Sequence, residues 1–273
     1  MVRVARRLDA ALAGQVLVRG ELRWPNLGGT DLAGAAVVGN ATHGKHLLTR
    51  LADGRTLHTH LRMEGRWRIV RTADLAPHGT SRADRSPQVR AVLATARWTC
   101  LGFDLGLMDL LPTRDEHLVI GHLGPDVLAP DLDAPAAAGR ILAQGARGIG
   151  EVLLDQTVVA GLGTIYMTET LWAHRLWPWA PAGELGDDVA EGLVRTSRAL
   201  MLRSVGARTP TATGDVRRTS NVFGRERRPC PRCGTPVARA EVGTAPTARR
   251  VFYCPSCQRA VPSPGGQPLT SVP

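Results

Sequence analysis

The sequence predicts an α+β fold in three parts: an N-terminal helix leading into an antiparallel β-sandwich, a helical module, and a C-terminal four-cysteine zinc ribbon. Three observations carry that prediction. The hydrophobic period is helical up to Leu12 and switches to two after Gly14. It becomes helical again from Ala136, beyond a stretch rich in Pro and Asp. Near the C-terminus Cys230-Pro231-Arg232-Cys233 and Cys254-Pro255-Ser256-Cys257 are separated by twenty residues, the spacing of two knuckles that bite one tetrahedral ion.

Val4, Leu8, Ala11 and Leu12 recur at helical spacing, so residues 3–12 are expected as an amphipathic helix ended by Gly14. Short strands are expected at 16–18, 36–38, 46–48, 56–58, 67–70, 90–93 and 99–103, separated by Gly, Asp and Pro turns. Together they make a mostly antiparallel sandwich over residues 1–125. Residues 124–135 read as a linker. Helices are expected at 136–142, 149–155, 164–174 and 188–203, which gives a helical domain over 126–210. A Thr/Gly/Arg-rich connector at 209–226 leads into the zinc finger at 220–260, and residues 261–273 read as a disordered tail.

Four thiolates leave a metal no open position, so Cys230, Cys233, Cys254 and Cys257 are expected to hold a structural Zn²⁺. What this scaffold presents is arginine: from Arg208 to Arg259, 11 arginines against Asp215, Glu226 and Glu241 leave +8 of the chain's net +10. Such a concentration points to a polyanion such as nucleic acid. No apolar leader or membrane-length run is present, so an intracellular chain is expected. The fifth cysteine, Cys100, reads as a reduced core residue.

Arginine supplies 33 of the 34 strong cations; the exception is Lys45, in Thr42-His43-Gly44-Lys45-His46. An ammonium can be desolvated and deprotonated where a guanidinium cannot, so Lys45 is a candidate reactive or phosphate-contacting group, or else a solvated turn residue. In Leu154-Asp155-Gln156 through Ala160-Gly161-Leu162-Gly163-Thr164, Gly161 and Gly163 allow positive φ just before a helix start. The bare amides there could hold a phosphate, or the glycines could serve an αα-turn alone. His58 and His60 share one strand face and are metal ligands or hydrogen-bonding residues. No Walker loop, dinucleotide fingerprint or Ser/His/Asp order occurs.

The Gly-Lys-His turn, the Leu-Asp-Gln…Ala-Gly-Leu-Gly…Ile-Tyr segment and the hairpin ending Tyr-Cys-Pro-x-Cys-Gln together resemble the formamidopyrimidine-DNA glycosylase and endonuclease VIII family, with the actinobacterial endonuclease VIII-like branch the nearest likeness. The resemblance covers residues 1–260. It implies a helix-two-turn-helix domain in the helical module and a base-excision-repair enzyme: a DNA glycosylase with AP-lyase activity on oxidised bases and abasic sites in duplex DNA. It further implies a monomer working in the cytoplasm at the nucleoid. Carried over, Lys45 matches the lysine that contacts phosphate and assists catalysis, and Met63 the wedge that fills the gap left by a flipped nucleotide. Gly163 and Thr164 match the phosphate-binding turn, with Thr164 where the family has asparagine. Arg249 matches the zinc-finger arginine, with Arg250 as alternative. Glu169 is expected to cap or pair. The family opens with Met-Pro-Glu-Gly-Asp, whereas here Met1 is followed by Val2-Arg3-Val4, which matches the middle of the family's first helix. The nucleophilic proline and the acidic glutamate are therefore expected to be absent from this chain, through either a misassigned start codon or a shortened protein, and the alternative function is a catalytically impaired, N-terminally truncated damaged-DNA-binding protein.

Overall fold

The computed structural model describes residues 1–74, 85–207 and 209–259; the tail expected at 261–273 lies outside them. The chain divides into two compact units, Met1–His122 and Leu123–Pro273.

The first unit opens with helix α1 (Val2–Leu12), which buries Ala5, Leu8, Ala11 and Leu12 and ends at Gly14, φ +71°. The strands are β1 (Arg19–Leu22), β2 (Val37–His43), β3 (His46–Leu51), β4 (Arg55–His60), β5 (Arg66–Arg71), β6 (Val89–Ala94), β7 (Trp98–Phe103) and β8 (Leu107–Pro112). They form two four-stranded sheets, in the orders β1-β6-β7-β5 and β2-β3-β4-β8, antiparallel throughout. Leu22, Trp67, Leu93 and Cys100 from one sheet and Leu47, Leu57 and Met108 from the other close a single core with α1, which makes the sandwich. Burial pushes the Cys100 thiol up to about 12, an inert core residue as expected. The carboxylate of Asp9 accepts from the backbone amide of Asn40 at 2.8 Å and ties α1 to β2.

Two strand expectations need correction. Residues 16–18 make only an isolated bridge from Val16 to Ala36, with Val16 and Val18 exposed, and regular pairing begins at Arg19. The strand β8 was not expected, because Asp109 interrupts its apolar run; it pairs with β4, placing Asp109 opposite His58.

A short helix α2 (His117–Ile120) closes the first unit, and the helices of the second are α3 (Ala134–Leu142), α4 (Ile149–Val152), α5 (Thr164–Ala173) and α6 (Asp187–Gly206). The helix expected to run to residue 155 unwinds after Val152 into turns. Asp133 caps α3 by accepting from the amide of Ala136 at 2.9 Å. Ile141, Ile149, Leu153, Leu162, Met167, Leu171 and Leu193 build the core. The hairpin β9 (Ala238–Val242) and β10 (Arg249–Tyr253) contributes Val242 and Val251 to that same core. Among the described residues no helix is long and apolar enough to cross a membrane.

Candidate nucleic-acid interface

In the first unit the lone lysine occupies the two-residue turn between β2 and β3. His43 pairs with His46, and Gly44 at φ +56° supplies the left-handed backbone that opens such a turn. Lys45 is thereby carried at the hairpin tip, half-buried. The loop 61–65 joins β4 to β5, tightened by the amide of Gly65 donating to the carbonyl of Leu61 at 2.9 Å and by Arg62 at φ +50°. Its tip is Met63, 92% exposed, the most exposed large apolar side chain described. That exposure rules out a place for Met63 in the core.

Next to these loops lies a cluster that sequence reasoning found only in part. Alternation places Leu47, Leu57 and Met108 in the core and therefore puts His46, His58, His60 and Asp109 on the opposite face of their sheet. His46 Nδ1 is 2.8 Å from His58 Nε2, and His58 Nδ1 is 3.2 Å from Asp109 Oδ2. His60 stands edge-on to His46 with ring centres 4.9 Å apart, and its Nδ1 accepts from the amide of Arg62 at 2.9 Å. Burial holds His46 down to about 4, with His58, His60, His122 and His43 acting in the same direction. Burial also lowers His60, helped by Lys45, Arg62, His58 and the amino terminus. For His58 burial prevails over the opposing pull of Asp109 and Glu116. Beside the cluster Glu116 takes a bidentate pair from Arg50 at 2.8 and 2.7 Å and a hydroxyl from Thr56 at 2.7 Å; the Arg50 bond keeps its carboxyl below the usual range. The legible signal was density: four of the eight histidines fall within residues 43–60.

In the second unit the Gly-rich turn is shaped by Gln156. Its Oε1 accepts from the amide of Gly161 at 3.0 Å, and its Nε2 donates to the carbonyls of Leu154 and Leu162 at 2.9 and 3.1 Å. Gly161 takes φ +101°. Gly163 does not: it is extended at φ −128° and ψ 177°, and it serves as N-cap of α5, with Thr164 as the first helical residue. No side chain caps that helix start, which leaves its amides to solvent or an anion.

One turn further along α5, Glu169 is 1% exposed. Its carboxylate accepts from the backbone amides of Asn221, Val222 and Phe223 at 2.8–3.0 Å and from the side-chain amide of Asn221 at 2.9 Å. It caps a turn in the connector, as expected, though the partner could not be read from sequence. That connector and the start of α5 line an open pocket of about 280 Å³, with Tyr166, Thr211, Thr219, Ser220 and Phe223 among its walls.

The ligand atoms of Cys230, Cys233, Cys254 and Cys257 all lie within 4.8 Å of one another. Sulfur atoms about 2.3 Å from one tetrahedral ion sit about 3.8 Å apart, so the set fits a single metal. Trp172 Nε1 donates to Cys230 Sγ at 3.4 Å, and the amide of Cys257 to Cys254 Sγ at 3.4 Å. Arg232 stacks 4.1 Å above the Trp172 ring and donates to the Trp172 carbonyl at 2.9 Å, while the fully buried Gln258 donates to the carbonyl of Leu176 at 3.0 Å. The cysteine knuckles are therefore bolted to the end of α5. Arg249 and Arg250 begin β10 and are exposed; Arg249 Nη1 donates to the carbonyls of Thr247 and Ala248 at 3.0 Å.

Residues 1–104 match the family model described as the formamidopyrimidine-DNA glycosylase N-terminal domain, and residues 123–214 the one described as the formamidopyrimidine-DNA glycosylase H2TH domain. The chain is 40% identical over 264 residues to a probable endonuclease 8 2 of Streptomyces coelicolor, covering 96% of this chain and 94% of that protein. It is 37% identical to the DNA-(apurinic or apyrimidinic site) lyase Nei2 of Mycolicibacterium smegmatis, covering 94% and 96%. The fold is similar to that of the Lactococcus lactis Fpg solved in complex with DNA containing an abasic site, at a TM-score of 0.77, 25% identity, and 95% and 98% coverage. Similarity of this order over nearly the whole chain, with both family models matched, makes the chain a member of the formamidopyrimidine-DNA glycosylase and endonuclease VIII family.

Proposed function

We propose that this chain is a base-excision-repair DNA glycosylase with AP-lyase activity, acting as a monomer on oxidised bases and abasic sites in double-stranded DNA and stapled by one structural Zn²⁺ at its four cysteines. The observation that carries this reading is Met63: a large apolar side chain 92% exposed at a loop tip is poorly placed for stability but well placed to enter a base stack. Filling the hole left by an extruded nucleotide offsets part of the cost of unstacking. Lys45 on its hairpin tip supplies a compact ammonium for the phosphate beside the lesion. Gly163, Thr164 and the uncapped start of α5 supply backbone amides and a hydroxyl for a second phosphate contact, and Arg249 a guanidinium for a third. Zn²⁺ with four thiolates contributes no reactive position; it holds the hairpin that carries Arg249.

The chemical step that family membership implies at an abasic site is condensation of an amine with the C1′ aldehyde of the ring-opened sugar, with loss of water, to an iminium that borohydride reduces to a stable adduct. The test is to incubate two proteins with abasic duplex and borohydride: this chain, and this chain with Pro-Glu-Gly-Asp placed ahead of Val2. An adduct with either supports lyase chemistry, and an adduct with the extended form alone assigns the nucleophile to the proline. Salt-sensitive abasic-site binding with no adduct and no strand cleavage from either form supports the damaged-DNA-binding alternative, and absence of binding sinks both readings.

A further inference from the structure

We propose that Asp109, His58 and His46 form a hydrogen-bonded relay that positions the Lys45 turn. The inference rests on the reading of Lys45 as a DNA-gripping residue and adds three positioning residues behind it. A carboxylate only accepts, so the 3.2 Å contact to Asp109 puts the His58 proton on Nδ1 and leaves Nε2 as a lone pair. His46 Nδ1, 2.8 Å from that lone pair, must then donate. One carboxylate on β8 thus fixes the tautomer and the ring orientation of two imidazoles on β4 and β3.

His46 is the first residue after the Gly44-Lys45 turn, so holding its ring holds the turn's exit. His60 extends the same cluster to the other functional loop. It is the register partner of His46. Its Nδ1 accepts from Arg62, the residue before Met63, so its own proton lies on Nε2. The cluster therefore joins the lysine turn to the methionine loop.

The imidazoles act here as fixed dipoles. Facing them are His43 and Lys45 from the turn, Arg62 from the loop, His122, the amino terminus, and the carboxylates of Asp109 and Glu116. Burial outweighs those two carboxylates at His58 and lowers all three imidazoles, which favours the neutral form that can both donate and accept within the cluster. His58 is 1% exposed, beside the fully buried Leu57 and Leu48. Packing alone would be served there by an apolar residue, since a buried polar group costs stability unless every partner is in place.

The experiment is a double-mutant cycle on affinity for duplex carrying a tetrahydrofuran abasic analogue, with undamaged duplex as reference and thermal melting to confirm folding. Asp109→Asn, His58→Gln and His58→Leu are each made alone and in a Lys45→Ala background. The expected result is that Asp109→Asn and His58→Leu weaken lesion binding about tenfold when Lys45 is present and less than twofold when it is absent. His58→Gln, whose amide oxygen can still accept from His46, is expected to retain part of the lost affinity. Equal losses with and without Lys45, or no loss from any variant, overturn the relay. If His58→Leu does not fold, Asp109→Asn, altering a carboxylate that is 51% exposed, and His58→Gln decide the matter. A wild-type chain that does not prefer the abasic duplex overturns the proposed function and the relay with it, whereas a preference lost on Lys45→Ala but untouched by Asp109→Asn or His58→Leu overturns the relay alone.

Discussion

Replacing Glu169 by Gln should destabilise the second unit more than any comparably small change on its surface. The carboxylate is 1% exposed and accepts from three consecutive backbone amides and one side-chain amide. A hydrogen bond to a charged group contributes about 1.5–3 kcal/mol, and a buried donor stripped of its acceptor costs about as much. Glutamine keeps one acceptor oxygen and turns an NH₂ group toward the remaining donors, so about two of the four bonds are lost and the cost is about 3–5 kcal/mol. For a unit of this size about 1 kcal/mol corresponds to roughly 2–4 °C in Tm, so the drop should be on the order of 10 °C. The assay is circular-dichroism melting of metal-loaded wild type and variant, paired with timed trypsin digestion. Cleavage at Arg217 and Arg218, in the connector that Glu169 anchors, should speed up in the variant. A Tm within 2 °C of wild type and an unchanged digestion pattern would refute the account of Glu169 as the connector's anchor.

Met63→Ala should leave melting unchanged, within about 0.5 kcal/mol, because the side chain is 92% exposed; fluorescence-anisotropy titration should show weaker binding to an abasic duplex by about tenfold, a few kcal/mol at most being available from the stacking gap. Stripping the metal with a chelator, or Cys254→Ser, should loosen the hairpin that carries Arg249 and lower Tm, since metal affinity is folding energy in such knuckles; elemental analysis should return one zinc per chain before treatment. Stability should fall with acid before the carboxylates titrate. The folded-state pKa of His46 is down to about 4 and those of His58 and His60 are also lowered, against 6.5 unfolded. Their contribution is therefore full above pH 6.5 and is lost as pH falls toward 4, where the unfolded chain binds protons that the folded chain refuses. Urea unfolding at pH 7.5 and pH 5 should differ by on the order of 1–3 kcal/mol, and the difference should shrink in His46→Gln.

Much of this protein was legible one residue at a time. The helix 2–12, six of the eight sandwich strands, the starts of α5 and α6, the cysteine knuckles, the lone lysine and the glycine-marked turn follow from period, spacing and residue chemistry, all of which act over a few residues. Where two local effects competed, period failed. Asp109 broke the pattern of β8, because its partner is a histidine on the neighbouring strand, and Gly163 proved extended because a helix N-cap needs that backbone. What tertiary structure alone decided are the pairings across long sequence separations: Glu169 with residues 221–223, His58 with Asp109, Arg50 with Glu116, and Trp172 with Cys230. A side chain's type limits what it can accept or donate, but only the packed chain sets which donor comes within 3 Å. The exposure of Met63 belongs with these, since a methionine suits a core and a loop tip equally well until the strands on either side are in place.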